Sequence, residues 1–135
     1  MVILFDRFNL PDDVFEIIFS TGQQKIVGRE LLKYIAKNKG EITKTEMSAF
    51  ATKLHDGVWE TILDVPPYKG KRVKLSYNKR QFYDRILTPM KSMGLIDFDL
   101  YKKTYRLSLK FTSDLTKVSA MWRSEIRKLG LPPID

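Results

Sequence analysis

Apolar residues return along this chain with two different periods, and the change of period divides it. From Val27, the positions Leu31, Tyr34 and Ile35 follow at helical spacing, and Asn38-Lys39-Gly40 ends the run, so the pattern predicts a helix over 27–38. Thr43, with Glu46 three residues on, has the form of a capping box, in which each side chain bonds the other's backbone N–H. Behind it, Met47, Phe50, Ala51 and Leu54 make one amphipathic face. Gly57 can end this helix, although Val58 and Ile62 keep its phase. Asn78, with Gln81 three residues on, opens another helix whose stripe is Phe82, Ile86, Met90 and Met93. Pro89 lies inside it and has no N–H for the Arg85 carbonyl, which predicts a kink. Gly94 can then hold the left-handed residue that ends a helix.

Over 95–111 the period becomes two. Ile96 and Phe98 alternate on one arm, and Tyr105, Leu107, Leu109 and Phe111 on the other, which predicts a β-hairpin with Leu100-Tyr101-Lys102-Lys103 at its tip. Ser113-Asp114 would cap a last helix carrying Leu115, Val118, Trp122, Ile126 and Leu129 on one face, stopped by Gly130 and Pro132-Pro133. Toward the N-terminus, residues 2–5 read as a short strand or a packed arm. Pro11-Asp12-Asp13 reads as the first turn of a helix that Ser20-Thr21-Gly22 ends. Between the two central helices, Pro66-Pro67 and Gly70 break the chain, and Val73 to Ser76 alternate as a short strand.

Three helices followed by a hairpin resemble the winged helix-turn-helix superfamily. The resemblance is carried by Met90-Lys-Ser-Met-Gly94-Leu95-Ile96, followed nine residues later by Tyr105-Arg106-Leu107-Ser108, and by Gly40-Glu41-Ile42-Thr43 ahead of the second helix. It is similar to the ending of many bacterial and archaeal DNA-binding regulators. It implies an α+β, mostly helical fold: a tri-helical core with a two-stranded β-hairpin wing, plus an N-terminal segment and a C-terminal helix. The 135 residues then form one domain, with an extension at 1–26, a core at 27–111 carrying an insertion at 55–77, and a terminal helix at 112–135. The helix over 78–93 would enter the major groove of double-stranded DNA, with the hairpin 95–111 as the wing.

Charge agrees with that assignment. The chain carries 24 Lys+Arg against 16 Asp+Glu, a net charge of +8. Residues 1–68 are net −2, residues 69–91 net +7 and residues 92–135 net +3, so nearly all the excess sits in one short stretch. Such a stretch attracts a polyanion, with nucleic acid first. With no Cys and the single His55, there is no thiolate, disulfide or Cys-based zinc site, and no ligand set for a His cluster or a Ser-His-Asp triad. His55-Asp56 reads as structural. The expectation is a protein that acts by binding alone, without enzymatic activity, cofactor or metal, and with no legible small-molecule site. No apolar run approaches the roughly 20 residues of a membrane span. Met1 to Phe5 is short, lacks a basic flank and is followed by Asp6, so it does not read as a signal peptide. A cytoplasmic, nucleoid-associated protein is expected.

The candidate DNA-binding residues follow. Lys69, Lys71, Arg72 and Lys74 are flexible cations suited to phosphates. Asn78, Lys79, Arg80, Gln81, Asp84 and Thr88 belong to the groove helix. Arg80 and Gln81 have the forks that match guanine and adenine edges, and Lys79 stands where free N–H groups would also meet a phosphate. Asp84 can orient Arg80 or Arg85, or accept from cytosine. Lys102 and Lys103 at the hairpin tip suit a wing on the DNA backbone. Tyr68, Tyr77, Tyr83, Tyr101 and Tyr105 are expected to pack their rings rather than stack on bases. The stripe Leu115, Val118, Trp122, Ile126 and Leu129 either closes the core or forms a homodimer. The competing functions are a winged-helix interaction module of a larger assembly and a non-specific nucleic-acid binder.

Overall fold

The computed structural model describes residues 6–63 and 68–132; the readings made of residues 2–5, of Pro66-Pro67 and of Pro133 lie outside them. Its elements in order are a 3₁₀ turn (Arg7–Asn9), α1 (Val14–Ile18), α2 (Gly22–Lys37), β1 (Glu41–Thr43), α3 (Lys44–His55), β2 (Trp59–Leu63) and β3 (Lys71–Leu75). A composite helix follows, comprising α4 (Lys79–Gln81), a π-helical stretch (Phe82–Leu87) and α5 (Thr88–Ser92). Then come β4 (Ile96–Asp99), β5 (Thr104–Leu107) and α6 (Lys110–Lys128). The fold is α+β, with helix predominating and the sheets small and antiparallel.

The core is the meeting of α2, α3 and the composite helix. Val27, Leu31 and Ile35 pack against Met47, Phe50, Ala51 and Leu54, and against Phe82, Ile86, Leu87 and Met90. The capping box at α3 is complete: the Glu46 N–H donates to Thr43 Oγ1, and the Thr43 N–H donates to Glu46 Oε1, each at 3.0 Å. α1 is part of this core rather than an appendage, since Phe15 and Phe19 are both buried. Phe19 lies so close to Gly28 that a Cβ there would stand 2.5 Å from its ring. α1 begins at Val14 with Asp13 as its N-cap, three residues later than Pro11 suggested. α2 begins at Gly22, where Thr21 Oγ1 accepts from the Gln24 N–H, so Thr21 opens a helix instead of ending one.

Three corrections concern strands. Glu41–Thr43 is itself a strand, so the wing sheet has three strands in the order β1-β5-β4, with Ile42 opposite Tyr105 and Tyr105 opposite Phe98. Three residues are too few to reveal a period. The 55–77 insertion is a second hairpin, with Trp59 opposite Leu75 and Thr61 opposite Val73. Val58 and Ile62 are exposed there and do not prolong α3. The wing's second strand stops at Leu107. Leu109 is exposed and caps α6, which starts at Lys110, with Ser108 Oγ accepting the Lys110 N–H at 3.1 Å. Ser113-Asp114 therefore lies inside α6 and caps nothing.

Pro89 is absorbed differently from a kink. The helix widens before it, and the Thr88 N–H reaches five residues back to the Tyr83 carbonyl. A wide turn accommodates the missing donor and the bulk of the proline ring. Its extra residue per turn brings Leu87 inward beside Ile86, while Met93 is only half-buried.

Candidate nucleic-acid interface

The insertion does not separate α3 from the composite helix. The Leu54 carbonyl accepts from the Gly57 N–H at 3.1 Å and again from the Tyr77 N–H at 2.9 Å, so the chain leaves and returns at one atom. His55 Nδ1 then accepts the Lys79 N–H at 3.1 Å, and Lys79 Nζ donates to Thr52 Oγ1 at 2.9 Å and Ser48 Oγ at 3.3 Å. Phe50 and Phe82 meet beneath this joint, with ring centres 5.5 Å apart. His55 thus has a structural partner, as its sequence setting suggested.

These bonds revise Lys79. Its ammonium is held by two α3 hydroxyls, and its N–H by His55. The Gln81 N–H goes to Asn78 Oδ1 at 3.0 Å and the Phe82 N–H to the Asn78 carbonyl at 2.8 Å. The first turn is therefore not an open cradle for phosphate. Asn78 caps it, as expected. Beyond it, Arg80, Gln81, Asp84, Arg85, Thr88 and Lys91 are exposed. Arg80, Gln81, Asp84 and Thr88 face away from the buried stripe, while Lys91 Nζ stands 5.9 Å from the rings of Phe98 and Tyr105 in the wing. Arg80 Nε stands 3.8 Å from Asp84 Oδ2 with 92% of its side chain exposed, so Asp84 restrains the direction of a free guanidinium.

At the wing, Asp99 Oδ1 accepts from the N–H groups of Tyr101 and Lys102, at 2.9 and 3.1 Å. These two bonds, that of Lys102 foremost, hold the Asp99 carboxyl below its ordinary range. They also shape the tip, where Lys103 adopts a left-handed φ of 52°. The Lys103 carbonyl accepts the Lys44 N–H at 2.9 Å, which seats the tip on the start of α3. Lys44, Ser48 and Thr52 then run along one face of α3 from the wing tip to Lys79. That row spans about 12 Å at 1.5 Å per residue. With Thr45 and Lys53 these residues line a shallow depression. Sequence reasoning missed this row, although polar residues at i, i+4 and i+8 flanking the Met47/Phe50/Leu54 face were there to be read.

At the base of the wing, Asp97 takes Lys110 Nζ at 3.0 Å and Arg106 at 3.3 Å. The Lys110 bond first, then Arg106, holds the Asp97 carboxyl below its ordinary range. Tyr77 and Tyr105 are buried, and burial pushes the Tyr105 hydroxyl up; Tyr83 is half-buried. These three pack as expected. Tyr101 does not: it is 98% exposed beside an exposed Leu100.

The insertion's cations are not brought together. Directly opposed residues share a face of a hairpin. Arg72 and Lys74 therefore lie on one face with Glu60, whose carboxylate is 3.6 Å from Arg72. Lys71 lies on the other face, in line with Val73 and Leu75, and Lys69 is in the turn. The inner face is anchored by Trp59, which packs on Phe50 and Tyr34 and directs Nε1–H to buried Glu30 at 3.4 Å. Lys33 completes that carboxylate's pairing at 3.0 Å. Leu115, Val118, Trp122 and Leu129 are exposed, and α6 has no buried residue, so it does not close the core.

Among the described residues no helix is long and apolar enough to cross a membrane, and no group of three or more acids and histidines could hold a metal. Compared with family models, with curated proteins and with solved structures, the chain matches none.

Proposed function

We propose that this chain is a winged helix-turn-helix protein that binds double-stranded DNA as a sequence-specific transcriptional regulator. It acts by binding alone, in the cytoplasm on nucleoid DNA. The observation that supports it best is the outward face of the composite helix. Arg80 and Gln81 stand free at its first turns, in a helix held by its N-terminus to α3. In this reading Arg80, Gln81, Asp84 and Thr88 meet base edges in the major groove. Lys44, Thr45, Ser48 and Thr52 along α3, with Lys102 and Lys103 at the wing tip, meet the flanking phosphates. Lys69, Lys71, Arg72 and Lys74 reach more distant backbone and contribute mainly long-range attraction, since the two faces and the turn of the hairpin divide them and Glu60 pairs with Arg72.

Selection of bound duplexes from a random pool tests this reading, followed by titrations in salt. A recurrent site is expected, and its affinity should fall about a thousandfold between 50 and 200 mM salt if six phosphates are met. A pool that stays random would reduce the protein to a non-specific binder. A flat salt response would remove DNA altogether and favour an interaction module.

A further inference from the structure

The terminal helix carries a second surface. α6 is 19 residues long and contributes nothing to the core. Its ties to the body lie in its first turn, where the Phe111 N–H donates to the Gly94 carbonyl at 3.1 Å and Lys110 reaches Asp97. Leu115, Val118, Met121, Trp122 and Leu129 are each more than half exposed. A helix that buries so little of its apolar face among the described residues is marginal in water.

We propose that α6 pairs with α6 of a second copy of this chain, antiparallel, about a two-fold axis at Ala120. The stripe Phe111, Leu115, Val118, Trp122, Ile126 and Leu129 reads nearly the same in both directions. Phe111 and Leu129 each lie nine residues from Ala120, and Val118 and Trp122 each two. Leu115 lies five residues away and Ile126 six. A two-fold axis there sets Phe111 against the second copy's Leu129, Leu115 against its Ile126 and Val118 against its Trp122. An isologous interface needs this self-complementarity. Phe111, Leu115 and Val118 also recur eleven residues later as Trp122, Ile126 and Leu129. That repeat is close to the turn of a straight helix, so the seam keeps to one side.

Charge selects the direction. Asp114 and Glu125 border one side of the seam, and Lys117 and Lys128 lie next outward on that same side. In an antiparallel pair like sides meet. Asp114 then comes beside the second copy's Lys128, and Glu125 beside its Lys117, giving four ion pairs by symmetry. A parallel pair would set Asp114 near Thr112, Thr116 and Ser119, with no base to meet it, and Glu125 near Arg123, giving two ion pairs instead of four. The seam is also narrow and bordered on one side by acids. That suits a helix partner, whereas an anionic lipid surface calls for a broad apolar face with basic edges.

The full chain, without DNA, supplies the test, so its outcome is independent of the nucleic-acid reading. Sedimentation equilibrium should find a dimer. Trp122→Glu should weaken association about thirtyfold or more, with the thermal unfolding of the core unchanged at concentrations where both chains are monomeric, because Trp122 is not part of it. The chain has no cysteine, so disulfide trapping reports direction without background. Leu115→Cys mixed with Ile126→Cys should cross-link, and Leu115→Cys alone should not. Cross-linking of Leu115→Cys alone would overturn the antiparallel pair. A wild-type chain that stays monomeric at about 100 μM, or that binds phosphatidylserine vesicles as a monomer, would overturn the dimer.

Discussion

His55 Nδ1 accepts the backbone N–H of Lys79 at 3.1 Å and so joins the end of α3 to the start of the composite helix. The two residues are separated by a whole β-hairpin. His55→Ala leaves that N–H to water and should lower stability by about 1 kcal/mol, read as a fall in Tm of about 3–5 °C. His55→Asn offers a carbonyl oxygen in a similar place and should recover part of the loss. Equal losses for both would show that the bond contributes nothing to the joint.

Gly94 combines two demands that Gly40 separates. Both have left-handed φ, 82° and 88°, but a Cβ on Gly94 would meet the Phe111 backbone nitrogen at 2.8 Å, while Gly40 has open space. Gly40→Ala should cost about 1 kcal/mol, for the backbone alone. Gly94→Ala should cost clearly more in the same chemical denaturation series, because the start of α6 must move. Equal costs would mean that α6 is not held where Gly94 meets it.

Asp97 makes the wing base sensitive to acid. Its carboxyl is held below the ordinary range by Lys110 and then by Arg106. A carboxylate whose pKa is lower folded than unfolded stabilises the fold above the unfolded value, and that contribution disappears as pH falls through the folded one. Asp97→Asn should therefore lower Tm near neutral pH. The difference from wild type should shrink once pH drops below about 4. A difference that does not change with pH would assign the effect to packing.

Arg80 and Lys103 should separate the two kinds of DNA contact. Arg80→Ala is expected to cost about 1–3 kcal/mol on the selected site and to relax preference at one base pair. Lys103→Ala should weaken all duplexes alike and reduce the salt slope by about 1. Asp84→Asn releases Arg80 from its 3.8 Å partner and should raise affinity for random duplexes while narrowing the gap to the selected one. Identical behaviour of the Arg80 and Lys103 variants, measured by anisotropy, would remove the groove assignment.

What could be read in the chain beforehand follows the reach of each interaction. The helix cores, the Thr43/Glu46 capping box, the Asn78 cap and the Gly94 stop depend on residues within four of one another, and each was legible. β1 was not, because three residues form a strand only when Tyr105 and its neighbours arrive from elsewhere in the chain. The inserted hairpin was half legible. Val73 to Leu75 alternated visibly, while Trp59, Thr61 and Leu63 were hidden by a helical phase carried over from α3. Pro89 correctly flagged a disturbed helix, but whether a helix kinks or widens depends on what its flanks can bury. Here Ile86 and Leu87 both had a place in the core.

The candidate site divides in the same way. The sequence alone determined which helix carries Arg80, Gln81 and Asp84 and which side they take, since helical phase and the Phe82/Ile86 stripe decide that locally. It also determined the size and position of the positive charge. Only the tertiary structure decided which of those charges act together. It committed the Lys79 ammonium to two α3 hydroxyls, set Arg72 and Lys74 beside Glu60, and placed Lys103 on the start of α3. Among the described residues it also left α6 with no buried side chain. The reason is physical: periodicity assigns a side chain to a face, whereas packing between distant elements decides what that face meets.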